Sequence, residues 1–186
     1  SKGLNFLHTG GGNHRYRAYH RDLKSGNIII MRNYQAKLID CGLVRFVADR
    51  DDDTIILPPL VANTPSSILN TTTQDLKTVG TPGYRCPQYE KGEHEFVAAC
   101  DVFSLGVVMN ELITGYLSRQ TLNAEAKARS GGHEMLDLYD FFIRRPDDED
   151  EAGPANLLDH LDPRAGLIDE AVIKKLVKIC KKCMKW

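Results

Sequence analysis

Asp22, Lys24 and Asn27 place a carboxylate, an ammonium and a carboxamide within six positions, in the stretch Tyr19-His20-Arg21-Asp22-Leu23-Lys24-Ser25-Gly26-Asn27. Each group offers a definite chemistry. Asp22 can accept a proton from a hydroxyl nucleophile, Lys24 can hold a phosphoryl oxygen, and Asn27 can turn its carbonyl oxygen toward a hard cation. Thirteen residues further on, Asp40-Cys41-Gly42 supplies a second carboxylate. Brought together, these four side chains would form a cradle for a metal ion bound to a nucleotide phosphate.

Such groups act only if they are held. The apolar run Ile28-Ile29-Ile30-Met31 follows Asn27 at once, and Ala36-Lys37-Leu38-Ile39 leads into Asp40. The turn-like Arg32-Asn33-Tyr34-Gln35 separates them, so the spacing predicts a β-hairpin that sets Asn27 beside Asp40. A loop tethered to a buried strand is rigid enough to position reacting groups. The competing reading is a solvated turn, since Asp, Lys, Ser, Gly and Asn all form turns. Further on, Val102, Leu105, Met109, Leu112 and Ile113 recur at helical spacing, with Val107 and Val108 widening the arc, which predicts a core helix over 101–114. Asp101 is placed to cap its amino terminus. A last helix from about Asp169 turns Val172, Leu176, Cys180 and Cys183 inward and keeps Lys174, Lys175, Lys178, Lys181, Lys182 and Lys185 wet. An opening helix carries Leu4 and Leu7 on one face and stops at Thr9-Gly10-Gly11-Gly12-Asn13. No Gly-Lys-Ser/Thr follows those glycines, so they are not read as a phosphate loop. His14, Arg15 and Arg17 read as solvated charges. Residues 117–166 look polar and irregular, with an amphipathic piece around Met135–Ile143 and an acidic run, 147–151, taken as solvated surface.

The 186 residues and 20.8 kDa suffice for one domain with a real core. Hydrophobic residues at 42% and charged residues at 26% match a folded globular chain rather than a disordered one. A formal net charge of -1 supplies no field for nucleic acid or anionic membrane. No apolar run approaches the ~20 residues of a membrane span, and no signal peptide opens the chain. Five cysteines, at 41, 86, 100, 180 and 183, are an odd number and suit a reducing compartment. Cys180 and Cys183 have a metal-like spacing, but no second pair accompanies them and core packing is the simpler reading.

His20-Arg21-Asp22-Leu23-Lys24…Asn27 resembles the catalytic loop of eukaryotic protein kinases, and Asp40-Cys41-Gly42 is similar to their Asp-Phe-Gly motif. Gly80-Thr81-Pro82-Gly83-Tyr84-Arg85-Cys86-Pro87-Gln88 resembles the substrate-docking segment and Ala-Pro-Glu motif. Asp101-Val102-Phe103-Ser104-Leu105-Gly106 resembles the start of the long helix beneath the catalytic loop. The resemblance implies that His20 packs against the metal-binding motif and that Arg21 awaits a phosphorylated residue. It makes Asp22 the base, Lys24 the neutraliser of phosphate charge, and Asn27 and Asp40 the magnesium ligands, with Gly42 completing the motif. Thr81 would hydrogen-bond toward Asp22 and Lys24, and Asp101 would fix the backbone of the catalytic loop. Lys24, two residues beyond Asp22, is the serine/threonine pattern. Asp162-Pro163-Arg164 and the helix ending in Cys183 resemble the receptor-like and interleukin-receptor-associated branch.

Three features depart from the family. Cys41 replaces a bulky aromatic and fills less volume. Gln88 replaces a glutamate that pairs with a distant arginine, and a neutral hydrogen bond is weaker by about half. The stretch 43–79 is long for an activation segment and carries hydroxyls that phosphorylation would pair with Arg21. The chain also lacks a Gly-x-Gly-x-x-Gly loop, a strand lysine and a helix glutamate, as expected for the carboxy-terminal lobe alone. The implied fold is α+β and mainly helical, one kinase lobe over 1–186, with a small β-hairpin carrying the catalytic and metal-binding loops. The implied function is transfer of the terminal phosphoryl of ATP, with Mg2+, to serine or threonine hydroxyls of a protein substrate, in a cytoplasmic domain of a longer parent whose membrane attachment lies elsewhere. The fragment alone is expected to be inactive, nucleic acid is not an expected partner, and no oligomeric state follows. A pseudokinase or scaffold that keeps the fold for binding is the alternative, favoured by Cys41, Gln88 and the long segment.

Overall fold

A 17-residue helix, Ala98–Thr114, runs through the centre of the molecule, and the computed structural model builds the rest against it. The structure describes residues 1–12, 17–47, 78–93, 95–121, 135–142, 156–166 and 168–185. The elements in chain order are α1 (Lys2–Thr9), β1 (Arg17–Tyr19), β2 (Ile28–Ile30), β3 (Ala36–Leu38), β4 (Arg45–Val47), α2 (Pro87–Glu90), α3 (Ala98–Thr114), β5 (Arg119–Thr121), β6 (Met135–Asp137), α4 (Leu138–Phe142) and α5 (Glu170–Cys183). The fold is α+β and mainly helical among the described residues, with three two-stranded antiparallel ribbons, β1–β4, β2–β3 and β5–β6.

The β2–β3 ribbon is the hairpin the apolar runs predict, with Ile28 opposite Leu38 and Ile30 opposite Ala36. Tyr34 takes a left-handed conformation in the turn, and Met31 and Gln35 close it with a backbone bond of 2.9 Å. Its burial differs from expectation. Ile29 and Ile30 are exposed, Ile30 by 62%, because the ribbon leans on α1 through Leu38 while no described element covers its outer surface. The loop is therefore stiffened by hydrogen bonds rather than by a buried strand.

Helix α3 buries Phe103, Val107, Val108 and Ile113, but also Asp101, Ser104, Asn110 and Glu111. This corrects the arc drawn from apolar spacing: Val102, Leu105 and Met109 are half-buried and Leu112 is 73% exposed. Asp101, Ser104 and Glu111 face inward and bond neighbouring segments, and that outweighs the spacing of the helix's apolar residues; the Asn110 side chain is buried with no partner among the described residues. Asp101 is not the amino-terminal cap either; Val97 holds that position without a side-chain bond, which frees the Asp101 carboxylate for longer-range work.

Helix α5 packs along α3. Gly106 permits the approach: a Cβ there would lie 2.5 Å from Met184 and 2.9 Å from the Cβ of Cys183. Asp169 caps α5 by accepting from the N–H groups of Ala171 and Val172. Its buried positions are Ile173, Val177 and Cys180, with Met184 just beyond, and Leu176 and Cys183 are half-buried. Val172, expected inside, is exposed, so the inward face sits one residue off the sequence reading; the lysines are exposed as expected. Cys180 donates to the carbonyl of Gly106 at 3.3 Å, a packing role.

One further correction concerns the irregular stretch expected from residue 43, and the amphipathic piece expected around Met135–Ile143 is a strand followed by a short helix over its described residues. Arg45–Val47 is a strand paired with Arg17–Tyr19, so the loop expected from residue 43 starts as ordered backbone. Met135–Asp137 is a strand paired with β5, and Leu138–Phe142 is a short helix whose Leu138 and Phe142 join the core. Strands of three residues are too short to show periodicity. The segment 48–77 with its hydroxyls, the residues 13–16 and the acidic run 147–151 lie outside the described residues. No helix among the described residues is long and apolar enough to cross a membrane.

Candidate functional site

The catalytic-loop stretch is hung from α3. Asp101, fully buried, accepts from the backbone N–H of His20 at 2.8 Å and of Arg21 at 3.0 Å. His8, at the end of α1, reaches the same carboxylate at 2.8 Å. The buried His20 ring spans from loop to hairpin: Nε2 donates to the carbonyl of Ile39 at 3.1 Å, and Nδ1 accepts from the N–H of Asp22 at 3.4 Å. Those two bonds together require the tautomer protonated at Nε2. His20 thus packs against the residue preceding Asp40. Arg21 is held in a left-handed conformation, φ 69°, with its guanidinium 6.0 Å from the centre of the Phe96 ring.

Asp22, Thr81 and Lys24 form a closed ring of hydrogen bonds, and Asn27 joins it at Asp22. Thr81 Oγ1 donates to Asp22 Oδ1 at 2.6 Å and accepts from Lys24 Nζ at 2.9 Å. Lys24 Nζ also lies 2.9 Å from Asp22 Oδ2. Asn27, buried at the end of a short 3-10 turn, donates through Nδ2 to the backbone carbonyl of Asp22 at 2.8 Å and to its Oδ2 at 3.2 Å. Burial pushes the Asp22 carboxyl up, but the bonds from Thr81, Lys24 and Asn27 together outweigh it and hold the group below its ordinary value. Asp22 is therefore a carboxylate at neutral pH.

Asn27 and Asp40 leave the same end of the hairpin, since the carbonyl of Asn27 accepts from the N–H of Ile39 at 3.0 Å. Asp40 takes a left-handed conformation (φ 61°, ψ 71°) and accepts from the N–H of Gly42 at 3.3 Å. Its side chain is exposed, and Cys41 beside it is exposed as well. With Nδ2 of Asn27 committed to Asp22, Oδ1 is the atom its chemistry offers to a cation. One carboxamide oxygen and one carboxylate are hard ligands that fit Mg2+, which keeps waters and takes phosphate oxygens rather than a full protein cage. No group of three or more His, Cys, Asp or Glu ligands occurs among the described residues.

The segment bearing Thr81 comes close because residue 80 is glycine. Gly80 has φ 92°, and a Cβ there would sit 2.5 Å from the carbonyl oxygen of Arg21. Tyr84 then links the segment to α3 and the loop: its hydroxyl donates to Glu111 Oε1 at 2.5 Å and lies 3.2 Å from Ser25 Oγ, while Ser118 N–H donates to the same Glu111 oxygen at 2.8 Å. Burial and the bond to Glu111 push the Tyr84 hydroxyl up. Gln88, on α2, has its amide oxygen buried with no hydrogen-bond partner among the described residues. His8, Ser25, Tyr84 and Glu111 carry no assigned role from sequence; a lone glutamate and asparagine inside the apolar run 102–113 were the available signal.

Known proteins resemble this chain in sequence. The sequence profile of the protein kinase domain matches residues 1–186. An Arabidopsis thaliana G-type lectin S-receptor-like serine/threonine-protein kinase is 37% identical over 114 residues, 61% of this chain and 11% of its own length. A proline-rich receptor-like protein kinase of the same plant is 36% identical over 115 residues, 62% of this chain and 18% of its own length. Wall-associated receptor kinase-like 21, also from A. thaliana, is 32% identical over 130 residues, 66% of this chain and 18% of its own length. The chain thus spans under a fifth of the length of these relatives. A match over every residue shows that the chain belongs to the protein kinase domain family.

Proposed function

We propose that this chain is the carboxy-terminal catalytic part of a receptor-like serine/threonine kinase that transfers the terminal phosphoryl of ATP to protein hydroxyls on the cytoplasmic side of a membrane. The observation that carries the reading is the closed ring of Asp22, Thr81 and Lys24, joined by Asn27 at Asp22. It presents an ionised carboxylate to an incoming hydroxyl and an ammonium beside it. Asp22 takes the proton of the substrate serine or threonine, and Thr81 keeps the carboxylate aimed. Lys24 offsets charge on the phosphoryl oxygens during transfer. Asn27 and Asp40 would hold Mg2+, whose charge, when it is bound with ATP, neutralises the phosphates. Arg21 supports a regulatory reading, since a phosphorylated residue of the activation segment would pair with a guanidinium there.

Within 1–186 there is no Gly-x-Gly-x-x-Gly loop and no lysine-bearing strand of the Val-Ala-Ile-Lys type. The chain by itself therefore transfers no phosphate, and activity belongs to the full-length protein. The test is transfer of labelled phosphate by that protein with ATP and Mg2+, followed by identification of the modified residue. Wild type labels serine or threonine, and Asp22→Ala lowers the rate by about 10²–10⁴-fold, the usual weight of a positioned general base, while still binding nucleotide. A full-length wild type that binds partners and transfers nothing would instead support the scaffold reading, which the exposed Cys41 and the unpartnered Gln88 oxygen favour.

A further inference from the structure

Cys86 and Cys100 stand apart from the ring of reacting groups. Cys86 immediately precedes α2, Cys100 sits in the first turn of α3, and the two are 0% and 1% exposed. Their Sγ atoms are 2.8 Å apart, with the Cys86 thiol donating to Cys100. A covalent S–S bond is ~2.05 Å long, so less than an ångström of closure separates the pair from one. Donating that bond, with burial, pushes the Cys86 thiol up; accepting it lowers Cys100 against the opposing effect of burial. The pair is therefore asymmetric, with Cys100 the easier thiolate to form.

We propose that Cys86 and Cys100 are a reversible oxidation site, at which a hydroperoxide converts the two thiols to an intramolecular disulfide. The Cys100 thiolate attacks one oxygen of the peroxide, the O–O bond breaks, and with hydrogen peroxide a water leaves, giving a sulfenic acid. The Cys86 sulfur then attacks the Cys100 sulfur, the S–O bond breaks, and a second water leaves. Two thiols and one peroxide become one disulfide and two waters, the sulfurs supplying both electrons. Peroxide, little larger than water, reaches the pair through local opening of α2, which is only four residues long. The product ties the segment bearing Thr81 and Tyr84 covalently to the helix bearing Asp101, across a separation of 14 residues.

The experiment is treatment of the folded chain with hydrogen peroxide, alkylation of remaining thiols, and peptide mapping without reductant. The expected product is one peptide pair joining Cys86 to Cys100, lighter by two hydrogens and released by dithiothreitol, with a thermal midpoint about 5–10 °C higher. In Cys100→Ser the crosslink and the shift disappear. Should that variant fail to fold, the wild-type map alone decides. Stepwise oxygen addition at Cys86 or Cys100 without a crosslink would overturn the proposal. So would a map in which both remain alkylatable while Cys41 is consumed.

Discussion

At Asp22 two effects of opposite sign meet. Partial burial favours the neutral acid, while Thr81, Lys24 and Asn27 favour the carboxylate, and the second set prevails. The folded-state pKa is thus lowered below the unfolded value near 3.8. The folded state binds its proton less readily, so the ionised form contributes stability that is present above about 3.8 and is lost as pH falls through the lowered folded value. A ¹³C NMR titration of the Asp22 carboxyl should show a midpoint below 3.8, and Thr81→Val, which removes the first of the lowering bonds, should move it upward. A midpoint unmoved by Thr81→Val would mean that the ring does not act on the carboxylate. At the same scale, Gly80 has no side chain because the carbonyl of Arg21 occupies the space where one would begin.

Helix α3 acts as a strut whose buried polar residues hold loops in place. Asp101 is the main one, because it satisfies two backbone N–H groups of the catalytic loop that would otherwise lie under protein without a partner. Asp101→Ala should cost about 2–5 kcal/mol, since each abandoned buried donor costs ~1–3, and Asp101→Asn should cost less because one acceptor oxygen remains. Urea unfolding of the three proteins measures this directly. The same helix meets α5 at Gly106. Gly106→Ala should destabilise by about 1–3 kcal/mol as Cys183 and Met184 are pushed away, and a chain no less stable than wild type would show that the two helices can slide apart freely.

Across the whole molecule the catalytic hairpin meets the core at its base, through half-buried Ile28, and leaves its outer residues exposed. Phe103, Val107, Phe142, Leu157 and Met184 lie beneath α3 and α5, whereas Ile29, Ile30, Tyr34 and Phe46 are exposed on the ribbons. Phe103→Ala should therefore cost about 3–5 kcal/mol, and Ile30→Ala should stay within about 0.5 kcal/mol, as a surface change does. Equilibrium denaturation of both variants tests the contrast, and a large loss from Ile30→Ala would place the hairpin inside the cooperative core. The helical base anchors, through Asp101 and His20, a loop whose His20, Leu23 and Asn27 are buried while Asp22 and Lys24 stay partly open.

Local chemistry and short-range pairing were written in the order of residues. The types and spacing of Asp22, Lys24, Asn27 and Asp40, the apolar runs on either side of residues 32–35, and the glycines that end α1 are all legible within short stretches, so the sequence alone determined the hairpin, the loop and the family. Which side of a helix faces inward is a different matter. It depends on partners far along the chain: on His20 and Arg21, some 80 residues from Asp101, and on Tyr84, 27 residues from Glu111. Only the tertiary structure could turn Leu112 and Val172 outward, bury Glu111 and Asn110, pair β1 with β4 and bring two cysteines into contact. Leaving a buried polar group without a partner costs about 1–3 kcal/mol, comparable with exposing an apolar side chain, and no periodicity of hydrophobic residues records where the partner of Asp101 or Glu111 lies.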